Sequence, residues 1–162
     1  IDLEIPIRRG AALTRRLEPK TVATVVYRFD APPQDVFDAW LDPDFAGKWW
    51  FTSPTSEMNT TRIDGRLGGE YEIVDRRDGI TYRAIGTFIE FERPSRLAFT
   101  FAMPEMSDAV DEVTITIESD GDGSRMTLEH VCYRDFKEPY ESGWGMMFGE
   151  LDKLLRIRAT NK

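Results

Sequence analysis

The sequence is poor in the residue types that carry most covalent and metal chemistry. Its 162 residues include one cysteine, Cys132, and one histidine, His130. A single cysteine excludes an intrachain disulfide and suits a reducing compartment. One His and one Cys two positions apart supply two metal ligands, and neither type occurs elsewhere to complete a set. No metal and no cofactor are therefore expected. Long apolar runs are also missing: none approaches the roughly 18 residues of a membrane helix, and the N-terminus carries no signal-peptide core. The expectation is a cytoplasmic protein without membrane insertion. Positive charge is in deficit, with 21 Lys and Arg against 29 Asp and Glu and a net charge of −8. That balance argues against a nucleic-acid partner. No nucleophile motif, Walker loop or GxGxxG occurs, and no internal repeat stands out.

What is present is enough chain for one domain with a proper core. Residues 1–20 differ from the rest. They mix Ile1, Leu3, Ile5 and Ile7 with Arg8, Arg9, Arg15, Arg16 and Lys20, and read as an N-terminal arm. Residues 21–162 read as the folded domain. Thr21 to Phe29 alternates as a strand. Ala31-Pro32-Pro33 ends it, and Val36, Phe37, Trp40 and Leu41 follow at helical spacing behind a proline suited to a first helical turn. Asp42-Pro43 signals a second short helix running to about Trp49, where the cluster Trp49-Trp50-Phe51 begins.

Strand-like segments come next, separated by turn signals such as Asp64-Gly65, Asp78-Gly79, Arg93-Pro94 and Asp120-Gly121-Asp122-Gly123. They cover about 58–63, 70–75, 81–91, 96–102, 113–118 and 125–133. This spacing marks an antiparallel meander. Leu97, Phe99, Phe101 and Met103 share one face, as do Val113, Ile115 and Ile117, and Met126, Leu128, His130 and Cys132. One-sided alternation means one covered face and one wet face. The cover is the last stretch, Glu138 to Lys162, whose Tyr140, Trp144, Met147, Phe148, Leu151, Leu154 and Leu155 form one helix face. The predicted fold is α+β: a curved antiparallel sheet of about seven strands gripping a long C-terminal helix, with two short helices after the first strand.

These pieces, in this order, resemble the START-like (birch-pollen-allergen-like, SRPBCC) superfamily, and within it the branch named after the activator of heat-shock protein 90 ATPase. The resemblance rests on Ala31-Pro32-Pro33 through Trp40, Asp42-Pro43 and Lys48-Trp49-Trp50; on Asp64-Gly65-Arg66 with Leu67-Gly68-Gly69; on Gly86-Thr87-Phe88-Ile89-Glu90 with Pro94, Arg96-Leu97 and Phe99-Thr100-Phe101; and on Ser142-Gly143-Trp144 with Leu151 and Leu154. It spans about residues 21–156. It implies a helix-grip fold and a cavity for lipids, sterols, polyketides or other apolar molecules, while most members of the branch have no assigned function.

Between a curved sheet and its helix, an apolar cavity is the default site. The residues expected to line it are Trp40, Trp49, Trp50, Tyr71, Phe88, Phe99, Phe101, His130, Trp144, Met147 and Phe148. For any one aromatic the alternative is plain core packing. His130 reads either as a polar anchor or general base, or as a buried imidazole held by a neighbour. Glu70, Glu72, Glu90 and Glu92 are paired at strand spacing and are expected on the wet face, a pair that faced inward being an acid–base couple instead; Arg76, Arg77 and Arg83 read as exposed charges or else as partners of an acidic ligand group. Gly143, Gly145 and Gly149 sit inside the helix at a cost of up to about 1 kcal/mol each. A second backbone against them, from a dimer partner or the arm, or local flexibility of the helix, would account for them. Three functions follow: a binder of a small apolar or amphipathic ligand; a cyclase- or hydrolase-type enzyme using His130 in the same cavity; and a co-chaperone-like interaction protein.

Overall fold

The computed structural model describes residues 20–161. The expected arm, residues 1–20, lies outside them except for Lys20. Among the described residues, β1 (Lys20–Phe29) is followed by α1 (Pro33–Asp38) and α2 (Pro43–Ala46). Then come β2 (Ser56–Ile63), β3 (Glu70–Arg77), β4 (Ile80–Glu92), β5 (Arg96–Ala102), β6 (Val110–Asp120) and β7 (Gly123–Tyr133). A 3-10 turn, Arg134–Phe136, leads into α3 (Lys137–Thr160).

The seven strands form one antiparallel sheet in the order β1-β7-β6-β5-β4-β3-β2. Neighbours in sequence are neighbours in space, and β1 closes the far side against β7. The fold is the α+β helix grip expected. Proline at the first turn starts both short helices, and the Asp42 carboxylate caps α2 by accepting from the Asp44 N–H at 3.1 Å. The second helix is shorter than expected. It stops at Ala46, and residues 47–51 continue as turns. That change of course drives Trp49 and Trp50 inward, with the Trp49 indole N–H donating to the Ala39 carbonyl at 3.1 Å.

Alternation places Val113, Ile115 and Ile117 of β6 and Met126, Leu128, His130 and Cys132 of β7 in the interior. α3 covers them with Trp144, Phe148, Leu151 and Leu155, all buried. Each such side chain contributes about 2–3 kcal/mol of gross apolar stabilisation. Polar contacts fix the helix on β1: the Thr24 N–H donates to Glu141 at 3.0 Å, and the Tyr27 hydroxyl donates to Asp152 at 3.2 Å.

One irregularity shapes the sheet. The Tyr71 side chain of β3 crosses its partner Gly86 on β4, and its hydroxyl donates to the Thr100 carbonyl of β5 at 2.7 Å. The Thr87 N–H then turns to the Thr100 hydroxyl at 2.9 Å. A Cβ at position 86 would lie 1.8 Å from that carbonyl oxygen, so only glycine fits. A register shift between Phe88 and Glu90 follows in the same strand pair.

Candidate functional site

Most of the space expected between sheet and helix is filled. Trp40 is fully buried and meets Trp49 and Trp50 nearly edge-on, with ring centroids 4.7 and 5.1 Å away. It also touches Phe99, Trp144 and Phe148. Trp50 continues the stack to Tyr71 at 4.8 Å, and Tyr71 to Phe88 at 5.8 Å. Offset and edge-on contacts of this kind are the favoured aromatic geometry. Trp40, Trp49, Trp50, Phe88, Phe99 and Phe148 are thus core. The physical reason is the inward turn after α2, which delivers Trp49 and Trp50 against Trp40, from the segment after α1, in the volume a ligand would occupy. Tyr71 belongs to this core as well, and its hydroxyl is spent on β5.

Space survives at the N-terminal half of α3. A groove of about 230 Å³ runs between this half and the strand ends, bordered by Phe51, Phe101, Met103, Tyr140, Trp144 and Met147. Phe101, Trp144 and Met147 are the expected lining residues that border it. Gly143 opens one wall, since a Cβ there would meet no atom within 4 Å. Phe51 forms another with a left-handed backbone (φ 59°). Its N–H approaches the Met147 Sδ at 3.0 Å, and its carbonyl accepts from Arg77 Nη2 at 3.2 Å. Arg77 lies on the rim, its guanidinium over the Phe51 and Tyr82 rings. Its Nε donates to Asp75 at 2.8 Å, a fully buried carboxylate that also accepts from Ser56 and Asn59. Arg77 was expected on the wet face; the structure puts it at the groove because Asp75, an inward residue of β3, holds it there.

Beneath this groove lies a buried polar chain. The Trp144 indole N–H donates to His130 Nδ1 at 3.0 Å, and His130 Nε2 stands 2.9 Å from Asp111 Oδ2. An indole nitrogen can only donate, so Nδ1 is the bare nitrogen and Nε2–H donates to Asp111. The Tyr140 ring stacks on the imidazole at 4.0 Å. Burial, with Asp111 close by, pushes the Tyr140 phenol well above its ordinary range, so it stays neutral. The histidine is a buried imidazole held by its neighbours. Its ring is fully buried with both nitrogens engaged, whereas the enzyme reading required it to open into the cavity with a second polar group within hydrogen-bond reach. The carboxylates at strand spacing serve the outer face: Glu72 pairs with Arg62 and Arg83, and Glu90 with Arg96.

Asp111 and Asp75 were missed by sequence reasoning. Period-2 alternation carried two residues back from Val113, or two forward from Ile73, would have placed both inward.

The comparisons with known proteins agree with this architecture. The family model described as "Activator of Hsp90 ATPase homolog 1-like protein" matches residues 30–156. No curated protein matches the chain. Among solved structures, protein NE0264 from Nitrosomonas europaea is 22% identical with a TM-score of 0.72, covering 85% of this chain and 95% of that one. The protein of unknown function SA2116 from Staphylococcus aureus is 18% identical with a TM-score of 0.73, covering 88% and 97%. CalU16 from Micromonospora echinospora is 23% identical with a TM-score of 0.63, covering 87% and 83%. At these identities the likeness speaks for the fold. No helix among the described residues is long and apolar enough to cross a membrane. With the family model matched over most of its length and the helix grip in place, the chain belongs to the Activator of Hsp90 ATPase homolog 1-like family of the START-like (SRPBCC) superfamily.

Proposed function

We propose that this protein binds a small apolar or amphipathic molecule in the groove between the N-terminal half of α3 and the sheet. The observation that carries the reading is Gly143. It sits inside a 24-residue helix and faces open space, where alanine would fit and would stabilise the helix by about 1 kcal/mol. Gly145 and Gly149 also face open space, and of the three helix glycines Gly143 is the one that borders this groove and leaves it wider than alanine would. The rim supports an amphipathic ligand, with aromatic and methionine walls below and the Arg77 guanidinium at the edge. Methionine walls adapt to ligands of differing shape. A binding role also fits a site whose one imidazole is sealed. Cytoplasmic location and a homodimer stay with the reading as expectations from the sequence, and no observation favours a chaperone partner.

The test is a titration of the purified protein with 1-anilinonaphthalene-8-sulfonate, followed by its fluorescence, for the wild type and Gly143→Leu. The leucine projects into open space, so the fold is kept, and it occupies much of the groove. Binding to the wild type and at least a tenfold weaker affinity in the variant, with an unchanged or higher melting temperature, is the expected pattern. Equal affinity in the two proteins would put the probe elsewhere and remove this reading.

A further inference from the structure

Asp111 has an oxygen with nothing to do. Its side chain is 5% exposed, and Oδ2 is taken by His130, yet Oδ1 has no hydrogen-bond partner among the described residues. A carboxylate oxygen withdrawn from water without a donor is a standing cost, and buried groups of this kind are nearly always served by a partner. The oxygen is not walled into solid core. Asp111 borders a second, smaller space of about 30 Å³, lined also by Ala102, Met106, Ser107, Ala109, Tyr133 and Phe136. Phe101, Met103 and Tyr140 border this space and the 230 Å³ groove alike, so the two meet across those three side chains. Of the three, Tyr140 is the one whose displacement would join them, at the cost of its stacking on His130 and its ring contacts with Phe101 and Phe136. It is half-buried in the first turn of α3, and its hydroxyl makes no hydrogen bond among the described residues. Turning it off the imidazole joins the two spaces.

We propose that Asp111 Oδ1 is the groove's specificity-determining acceptor, and that it receives a hydrogen bond from a hydroxyl group carried by the apolar ligand. The proposal rests on the binding role just described. The ligand's body fills the outer groove, and its hydroxyl enters the inner space. The chemistry of that space selects the group. About 30 Å³ admits one oxygen atom of water or hydroxyl size. Apart from Ser107, Tyr133 and Tyr140 the walls are Ala, Met and Phe, and none of them carries a positive charge to balance an anionic head. A carboxylate ligand would meet a second carboxylate, and an ether or ketone brings no proton for Oδ1. His130 keeps the acceptor in place: its tautomer, set by Trp144, obliges Nε2–H to hold Oδ2 and leaves Oδ1 as the carboxylate's unpartnered oxygen.

The experiment compares two probes of nearly equal shape, 2-naphthol and 2-methoxynaphthalene, by calorimetric titration into the full chain and into Asp111→Asn. Wild type is expected to bind the alcohol at least tenfold more tightly than the ether. In Asp111→Asn the carbonyl oxygen still accepts from His130, and the amide N–H now faces the inner space. The preference is then expected to collapse or reverse toward the ether, which can only accept. Equal wild-type affinities for the two probes would overturn the proposal, whatever the variant does. They would mean that a lone water serves Oδ1, and the groove would stand as a general apolar site. An alcohol preference that persists unchanged in a folded variant would overturn it as well. Failure of both probes to bind would overturn the binding role and this proposal together.

Discussion

The two halves of α3 are built from the same apolar stripe and have opposite outcomes. Along the C-terminal half, Phe148, Leu151 and Leu155 are buried against the sheet, and Trp40 and Trp49 reach Phe148 from the other side. Their face is closed against the sheet, and the open cleft on this half lies on its flank, between Gly149, Glu150 and Lys153 and residues of the stretch from Gly47 to Asn59. Along the N-terminal half, Tyr140, Trp144 and Met147 continue the stripe, but glycine stands at 143 and the opposite wall is Phe51 and Phe101. The same apolar stripe runs along both halves. What decides between seal and groove is the supply of side chains from the facing elements. Trp49, from the turn after α2, packs on Phe148 and helps close one half, whereas Phe51 of the same turn stands across the groove from the other.

The sharpest way to break this contrast is to make the sealed half hollow. Phe148→Ala removes a fully buried ring that touches Trp40, Trp49, Trp144 and Phe29. Denaturant unfolding is expected to show a loss of about 3–5 kcal/mol.

A smaller effect probes the polar chain under the open half. Trp144→Phe keeps most of the ring but deletes the donor to His130 Nδ1, leaving a buried acceptor unserved. The same measurement is expected to show a loss of about 1–3 kcal/mol. A change within 0.3 kcal/mol would mean that the indole bond is incidental to the fold.

The mildest effect reads the strand beside that chain. Burial, with Asp111 adding to it, pushes the Cys132 thiol from its ordinary 9.0 up to about 11. The folded protein therefore holds this proton where the unfolded chain has released it. The stability this supplies is complete below about pH 9 and is lost as pH rises to about 11. Melting temperatures across pH 8–11 are expected to fall later for Cys132→Ala than for wild type, each compared with its own value at pH 8. Superimposable curves would assign the alkaline loss to other groups.

The order of elements and the inward faces were legible because period 2 and period 3.6 are written directly in residue spacing: Val113, Ile115 and Ile117 point inward as read. The groove was legible only in part. Spacing shows that Trp40, Trp49 and Trp50 are inside, but it does not carry the distance between the two walls they lie between. They were consequently read as lining a cavity that they fill instead. Asp111 was hidden by a boundary, since the strand was taken to begin at Val113 when it begins at Val110. The glycines were visible as a cost and could be understood only once Gly143 was seen to face empty space.

The crossing of Tyr71 over Gly86 has a consequence for how this sequence can drift. The residue that joins β4 to β5 belongs to neither strand, so three positions on three strands meet there. A side chain gained at 86 would collide with the Thr100 carbonyl and the Tyr71 ring at once. A smaller residue at 71 would leave that carbonyl without its phenol. The first of these barriers stands whatever residue occupies 71, because the Thr100 carbonyl alone blocks a Cβ at 86, so the glycine is fixed by the backbone of a strand two places away from the tyrosine that crosses it.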